Sequence, residues 1–427
     1  MDAQVTQALI RFGLGPRGSE APPSDPIAWL DAQIAGPDTA QFPKDLPSAS
    51  DGLTLLREQR KLKQNFIGLA LQADSLAQTG ELVTTQAPFR ERLVWFWANH
   101  FTVSTRQGET AAVVGPYIRE AIRPHVTGPF FEMLLAVMRH PAMLMYLDNG
   151  QSVGPDSPAG QRSHRGLNEN LARECLELHT VSPASGYTQA DVTAFAAVLT
   201  GWAVDINALQ PGFTFRADAH QPGPKTLMGH AFPPGDAGGI LALDFLAHHP
   251  ATYRHLATKL VCHFVADTPP PDAVGIIEAR LHDTNGDLGE AARALVQLPQ
   301  AWTPGMKFRT PFDYTVATRR LLDFLPLPNA PFLPGAMNAL SQPVWNAPLP
   351  NGWPDRAQDW TAPDAMIRRI DWAYAMAGHL GDRDPVELAS LALGPSLRPA
   401  TLTAMRNAGS RRDALALCLT SPEFQRR

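Results

Sequence analysis

Cysteine is scarce. Cys175, Cys262 and Cys418 are the whole complement, and no two stand in a C-x-x-C pair. An odd number at unpaired spacings argues against a disulfide framework and against a cysteine zinc site. Lysine is also rare, six residues against thirty arginines. Arginine suits carboxylate and phosphate recognition, but such a bias follows base composition as readily as function. Charge is low, with 18% charged residues, a net charge of -5 and 44% hydrophobic residues. That balance excludes a disordered chain, and it excludes a nucleic-acid binder that works through bulk positive charge. No run reaches the roughly 18 uninterrupted apolar residues of a membrane span; Phe130–Met138 comes nearest and Glu132 interrupts it. Met1 to Glu20 shows no basic segment followed by an apolar one, so no secretory signal is read and the compartment expected by default is the cytoplasm. Strand signals are few.

What the chain has is proline, 40 residues against 32 glycines in 427. Proline stops helices and starts them, so many short helices with stiff connections are expected. Asp25-Pro26 opens one towards Ile34, Asp51–Ala77 reads as one long amphipathic stretch, and Pro88 opens another ending near Phe101. Further helices are expected over 130–139, 168–180, 192–202, 250–265, 272–282, 287–298, 311–325, 364–380 and 411–419. Thr188 and Asp191 form a capping-box-like pair. Phe213 and Phe215 alternate with polar residues before the turn at Gln221-Pro-Gly-Pro224, which predicts a small hairpin. The fold class is therefore mostly α: a single compact multi-helix domain over 1–427, with a hairpin insertion at 205–235 and a Pro/Trp-rich loop at 326–360.

Three motif matches fail their context. Gly13-Leu-Gly15-Pro-Arg-Gly18 fits the dinucleotide fingerprint, but two prolines follow and no helix can start at its last glycine. Gly150-Gln-Ser152-Val-Gly154 fits a nucleophile elbow, but Pro155 and Pro158 forbid the helix it requires. Asp283-Thr-Asn285-Gly-Asp287 opens like a calcium loop and then lacks the sixth-position glycine, so Asp287 reads as a helix N-cap. His255, Lys259 and His263 recur every fourth residue. The two histidines stand two turns apart, too far for one ion, and the row reads as an ordinary helix face.

One constellation survives. Arg92 to Phe101 reads R-L-V-W-F-W-A-N-H-F. A helix apolar on every side is normally buried, which takes Asn99 and His100 inside, where each needs a partner. In Asn168–Thr180, Asn170, Arg173, Glu174 and Glu177 fall within about a quarter-turn wedge at 100° per residue, opposite an apolar stripe of Leu171, Cys175 and Leu178. Such a wedge can hold a divalent ion, move protons, bind an anion through Arg173, or form a solvated salt-bridge ladder. His179 falls on the far side from Glu177, at the helix C-terminus. Asp218, His220, Lys225 and His230 mark the hairpin region as a weaker binding candidate.

These segments together resemble a family. The residues that carry the likeness are R-F-G-L-G at 11–15, W-F-W-A-N-H-F-T-V-S at 95–104, H-P-A-M-L-M-Y-L-D-N at 140–149 and N-E-N-L-A-R-E-C-L-E-L-H-T at 168–180. G-Y-T-Q-A-D-V at 186–192, L-T-G-W at 199–202, H-P-A-T at 249–252, K-L-V-C-H-F-V at 259–265 and N-G-W-P at 351–354 continue it. The chain resembles, over nearly its whole length, the bacterial family catalogued as domain of unknown function 1800. The resemblance implies a mostly helical protein, frequent export, and a gene that often neighbours a sulfatase-like one; it implies no reaction, catalytic residue or cofactor. Two departures stand out. The chain shows no export signal, and Gln221 follows His220 where the family pattern favours Asp, which weakens a metal at the hairpin.

The function expected from these readings is an enzyme, a hydrolase or transferase with metal assistance as an option, sited between helices 88–101 and 168–180. His100, Arg173, Glu174 and Glu177 would be the catalytic group and Asn99, Asn170, His220 and Lys225 the substrate-binding group; the cofactor stays open, with a divalent metal as one choice. The alternative is a non-enzymatic binding or assembly partner of the sulfatase-like neighbour, anchored by the aromatic residues of Pro343–Trp360. A closed structural network is the third reading of the same polar cluster.

Overall fold

Proline starts helices where its missing N–H costs nothing: Pro26, Pro88, Pro250, Pro311 and Pro363 all stand at the first helical position. The computed structural model describes residues 2–324 and 332–427, and its helices dominate over two small antiparallel sheets. The elements that matter for the site are α1 (Pro88–His100), α2 (Asn170–Glu174), α3 (Gln189–Leu199), α4 (Pro250–Phe264) and α5 (Pro311–Leu321). His249 caps α4 by accepting from the Ala251 N–H at 3.1 Å, and His140 does the same for Ala142 at the start of Pro141–Tyr146. Histidine followed by proline thus serves twice as a helix start. The Thr188–Asp191 pair forms the capping box expected for α3, and Asp287 caps the helix after the calcium-like loop.

Several expectations need correction. The 51–77 stretch is two helices, Ala49–Leu62 and Phe66–Thr84, because Lys63 turns left-handed at φ 55° and Asn65 starts the second by accepting from the Gly68 N–H. The hairpin region holds two hairpins: β1 (Trp202–Asp205) pairs with β2 (Gly212–Phe215), and β3 (Lys225–Leu227) pairs with β4 (His230–Phe232). Phe213 and Phe215 lie on a strand as expected, but their partners, Val204 and Trp202, precede them. In the 326–360 loop, residues 326–331 lie outside the described residues, and Phe332–Ala339 is a helix. Gly13–Gly18 follows a helix, with no strand before it among the described residues. The 168–180 segment is not one uniform α-helix: after Glu174 it widens into a π turn over Cys175–His179. Such turns recur at functional sites.

A large core gathers Phe12, Trp97, Phe101, Phe130, Trp202 and Phe264. A second, C-terminal core centres on Tyr314, Leu321, Leu415 and Phe424. Buried arginines tie segments together through backbone carbonyls. Arg11 donates to Phe264 O at 2.7 Å and Val265 O at 2.9 Å, the end of α4, and to Thr303 O and Arg427 O. Arg320 of α5 donates to Gly15 O and Val83 O. No described helix is long and apolar enough to cross a membrane.

Candidate functional site

A cavity of about 560 Å³ opens where α1, α4, the start of α5 and the loop 342–359 meet, a size in the ordinary range of small-molecule sites. Trp95, Phe96, Phe312, Trp345 and Trp353 contribute aromatic surface, and Met337 and Val344 aliphatic surface. Beneath it lies a buried charge network. Asp313 accepts from Arg92 at 2.6 Å and lies 3.0 Å from Arg427 Nε; burial opposes its charge, but these two guanidiniums hold its carboxyl far below the usual range. Asp355 Oδ2 accepts from His263 Nδ1 at 2.7 Å, and Lys307 pairs with Asp267.

Loop 342–359 is clamped onto α1. Asn99 donates from Nδ2 to Trp353 O at 2.9 Å and accepts from the Trp353 N–H at 2.8 Å. Gly352, at φ 76°, lets the loop come this close: a Cβ there would meet Asn99 O at 2.4 Å. Asn99 therefore positions Trp353 and has its amide engaged.

His100 and α4 make the remaining corner. His100 is 1% exposed and donates from Nε2 to His179 O at 3.2 Å; His255 donates from Nε2 to Leu178 O at 2.9 Å. Both imidazoles thus serve carbonyls left free at the end of the π turn. Their ring centroids lie 6.1 Å apart, and the His179 ring lies 6.0 Å from that of His100. The bonds fix His100 as the Nε2–H tautomer and leave Nδ1 with no partner among the described residues; both nitrogens of His179 are likewise unpartnered. Burial, then Lys259, pushes all three imidazoles down, His179 to about 3 and His255 to about 4. Lys259 stands among them on the cavity wall. Among the described residues it makes no hydrogen bond and no ion pair within 4 Å. Burial lowers its ammonium pKa, and Asp355 offsets this only in part.

The two nominated helices do meet, but at their C-terminal ends. His100 and Asn99 line the cavity; Asn170, Arg173, Glu174 and Glu177 do not. Arg173 pairs with Glu169 at 2.9 Å and Gln189 at 2.9 Å in a partly exposed network on α2 and α3. Burial and then Glu177 raise the Glu174 carboxyl, and Asn170 is exposed. The hairpin pair lies elsewhere again. Lys225 donates from Nζ to His220 Nε2 at 3.0 Å and to Gln221 O; His220 Nε2 accepts from the Gly235 N–H at 2.8 Å, and Nδ1 donates to Thr200 O at 2.8 Å. Among the described residues no group of three or more His, Cys, Asp or Glu side chains is placed to hold a metal ion. The carboxylate wedge and the imidazole corner therefore do not fit a shared divalent centre.

Lys259 and His263 belong to the row that its spacing marks and that the sequence reading sets aside as an ordinary helix face, and Cys262 stands beside it; all three line the cavity. Their row on α4 reads as an ordinary helix face until the loop 342–359 covers it.

A family model described as a protein of unknown function, DUF1800, matches residues 7–426. The chain belongs to the DUF1800 family. No match was found among curated proteins or among solved structures. In this DUF1800 chain, three of the blocks that carry the resemblance converge on the cavity: W-F-W-A-N-H from α1, K-L-V-C-H from α4 and N-G-W-P from the loop.

Proposed function

We propose that this DUF1800 protein is an enzyme of the hydrolase or transferase type, acting on a small organic molecule held in the cavity between α1, α4 and loop 342–359. One observation carries the reading: the Lys259 ammonium stands on the cavity wall with no hydrogen bond and no ion pair within 4 Å among the described residues, close to the His100 imidazole, whose Nδ1 has no partner there either. A cation in a water-poor, aromatic-walled site stabilises negative charge that develops on an oxygen during acyl or phosphoryl transfer. His100, held as the Nε2–H tautomer by His179 O, keeps its Nδ1 lone pair for the proton of an attacking water or hydroxyl. The Asn99–Trp353 clamp fixes the loop that closes the site. These roles need neither the α2 carboxylates nor a metal.

The p-nitrophenyl esters of acetate, phosphate and sulfate form a direct test. Wild-type protein should release p-nitrophenolate from at least one. Lys259→Met and His100→Gln should each slow that release about a hundredfold or more while the protein stays folded. Equal rates in wild type and both variants would remove these residues from the chemistry, and no release from any ester would remove the hydrolase reading.

A further inference from the structure

Resting on the reading of this cavity as a ligand site, we infer that its ligand is a small aromatic or apolar monoanion whose charged group meets Lys259 at the inner end. The argument is one of charge accounting. Asp313 lies between Arg92 and Arg427, Asp355 within 4.0 Å of Arg427 and Lys307 while accepting from a neutral His263, and Asp267 pairs with Lys307. Lys259 is the lining lysine with no ion pair within 4 Å among the described residues; Asp355 acts on it only from farther off, and Asp359, at an exposed position of the same cavity, faces solvent. Removing an ammonium from water without a counter-charge is costly, and proteins meet the cost by pairing it. Here the described chain supplies no pair. The imidazoles of His100, His179 and His255 add no negative charge, since burial keeps them neutral, and Asp355, more than 4 Å away, offsets the burial of the ammonium only in part. A ligand anion would supply the direct counter-charge that the described chain does not.

The rest of the ligand follows from the walls. Trp95, Phe96, Phe312, Trp345 and Trp353 offer ring faces and edges, and about 560 Å³ admits one or two rings. Arg356, at an exposed position of the same cavity, has no ion pair among the described residues and is the competing site for an anion. It stands in solvent, where a single charge contributes little.

The probes are benzoate, benzenesulfonate and phenyl sulfate against neutral benzamide and phenol, followed by quenching of tryptophan fluorescence in the full chain. At least one anion should bind wild type about tenfold or more tightly than the neutral pair. Lys259→Met should bring anion affinity down to the neutral level and leave benzamide binding unchanged. Lys259→Arg should keep the preference, which separates loss of charge from loss of fold. Arg356→Gln should keep it too. Neutral probes that bind wild type as tightly as the anions would overturn the charge assignment while leaving the cavity a ligand site. A preference lost in Arg356→Gln but kept in Lys259→Met would overturn it as well. Failure of every probe to bind would overturn the ligand-site reading and this inference with it.

Discussion

The molecule twice sets a lysine among histidines, and the two settings differ in one respect. At the hairpins, Lys225 and His220 spend their polar atoms on each other, on Thr200 O, on Gln221 O and on the Gly235 N–H. At the cavity corner, Lys259 has no hydrogen bond or ion pair within 4 Å among the described residues, nor do Nδ1 of His100 on the wall and both nitrogens of His179, which lies outside the lining, find a hydrogen-bond partner there. Both lysines feel burial, which brings Lys225 down to about 8 and also lowers Lys259. A lowered pKa therefore does not tell the two apart. The hydrogen-bond inventory does: a closed cluster has finished its work within the fold, and an open one is arranged for something that comes from outside.

The most direct way to break the comparison is to open the closed cluster. His220→Ala strands the Gly235 N–H and one of the Lys225 protons in a buried setting, and stability should fall by about 2 to 4 kcal/mol. The denaturant midpoint should drop at unchanged m value, with binding of aromatic anions in the cavity unaltered. A loss well below 1 kcal/mol would mean that the hairpin cluster is as loose as the cavity corner.

Acid sharpens the same contrast with a somewhat smaller effect. His179 has a folded value of about 3, against an unfolded value near 6.5. Between those two limits the unfolded chain binds more protons than the folded one. Stability is therefore full above pH 6.5, falls as the pH drops through the window, and levels off below about 3. One such imidazole removes up to about 1.4 kcal/mol per pH unit. His179→Asn breaks no side-chain hydrogen bond of His179, so denaturation series at pH 6, 5 and 4 should show a slope shallower by about that amount. An unchanged slope would show that His179 is already protonated in the folded protein at those values.

Much of the architecture is legible in the sequence, because its signals are local. Proline at first helical positions, the Thr188–Asp191 box and the all-round apolar α1 each carry their own meaning within a few residues. Strand partners do not. Phe213 and Phe215 announce a strand by alternation, but alternation does not say whether Trp202 or the segment beyond Gln221 lies opposite. For the site, the burial of His100 is readable in the sequence, while Asn99, expected inside as well, is only half-buried under the loop. The wedge of Arg173, Glu174 and Glu177 was drawn at 100° per residue, which the π turn after Glu174 no longer obeys. Lys259 escaped for a different reason. Its row on α4 reads by its spacing as an ordinary helix face, and it becomes a wall only when residues ninety positions further on fold over it. A faint signal was present: lysine is rare in this chain, and Lys225, Lys259 and Lys307 all stand at buried or half-buried positions.

The gentlest intervention is also the one that separates the two clusters most cleanly. Lys259→Met keeps the volume of the stem and removes a charge that Asp355 balances only in part. An unpaired ammonium in a low-dielectric wall costs stability, so the variant should be as stable as wild type at pH 7 or more stable by up to about 1 kcal/mol. With the ammonium gone, its repulsion no longer opposes protonation of His100, His179 and His255. Their folded values should rise towards the unfolded one, and the loss of stability in acid should become shallower. Denaturant midpoints at pH 7 and pH 5 read both effects in one series. If instead the variant loses 2 kcal/mol or more at pH 7, Lys259 is held by the fold as Lys225 is, and the corner is a structural cluster whose partners the chain itself supplies.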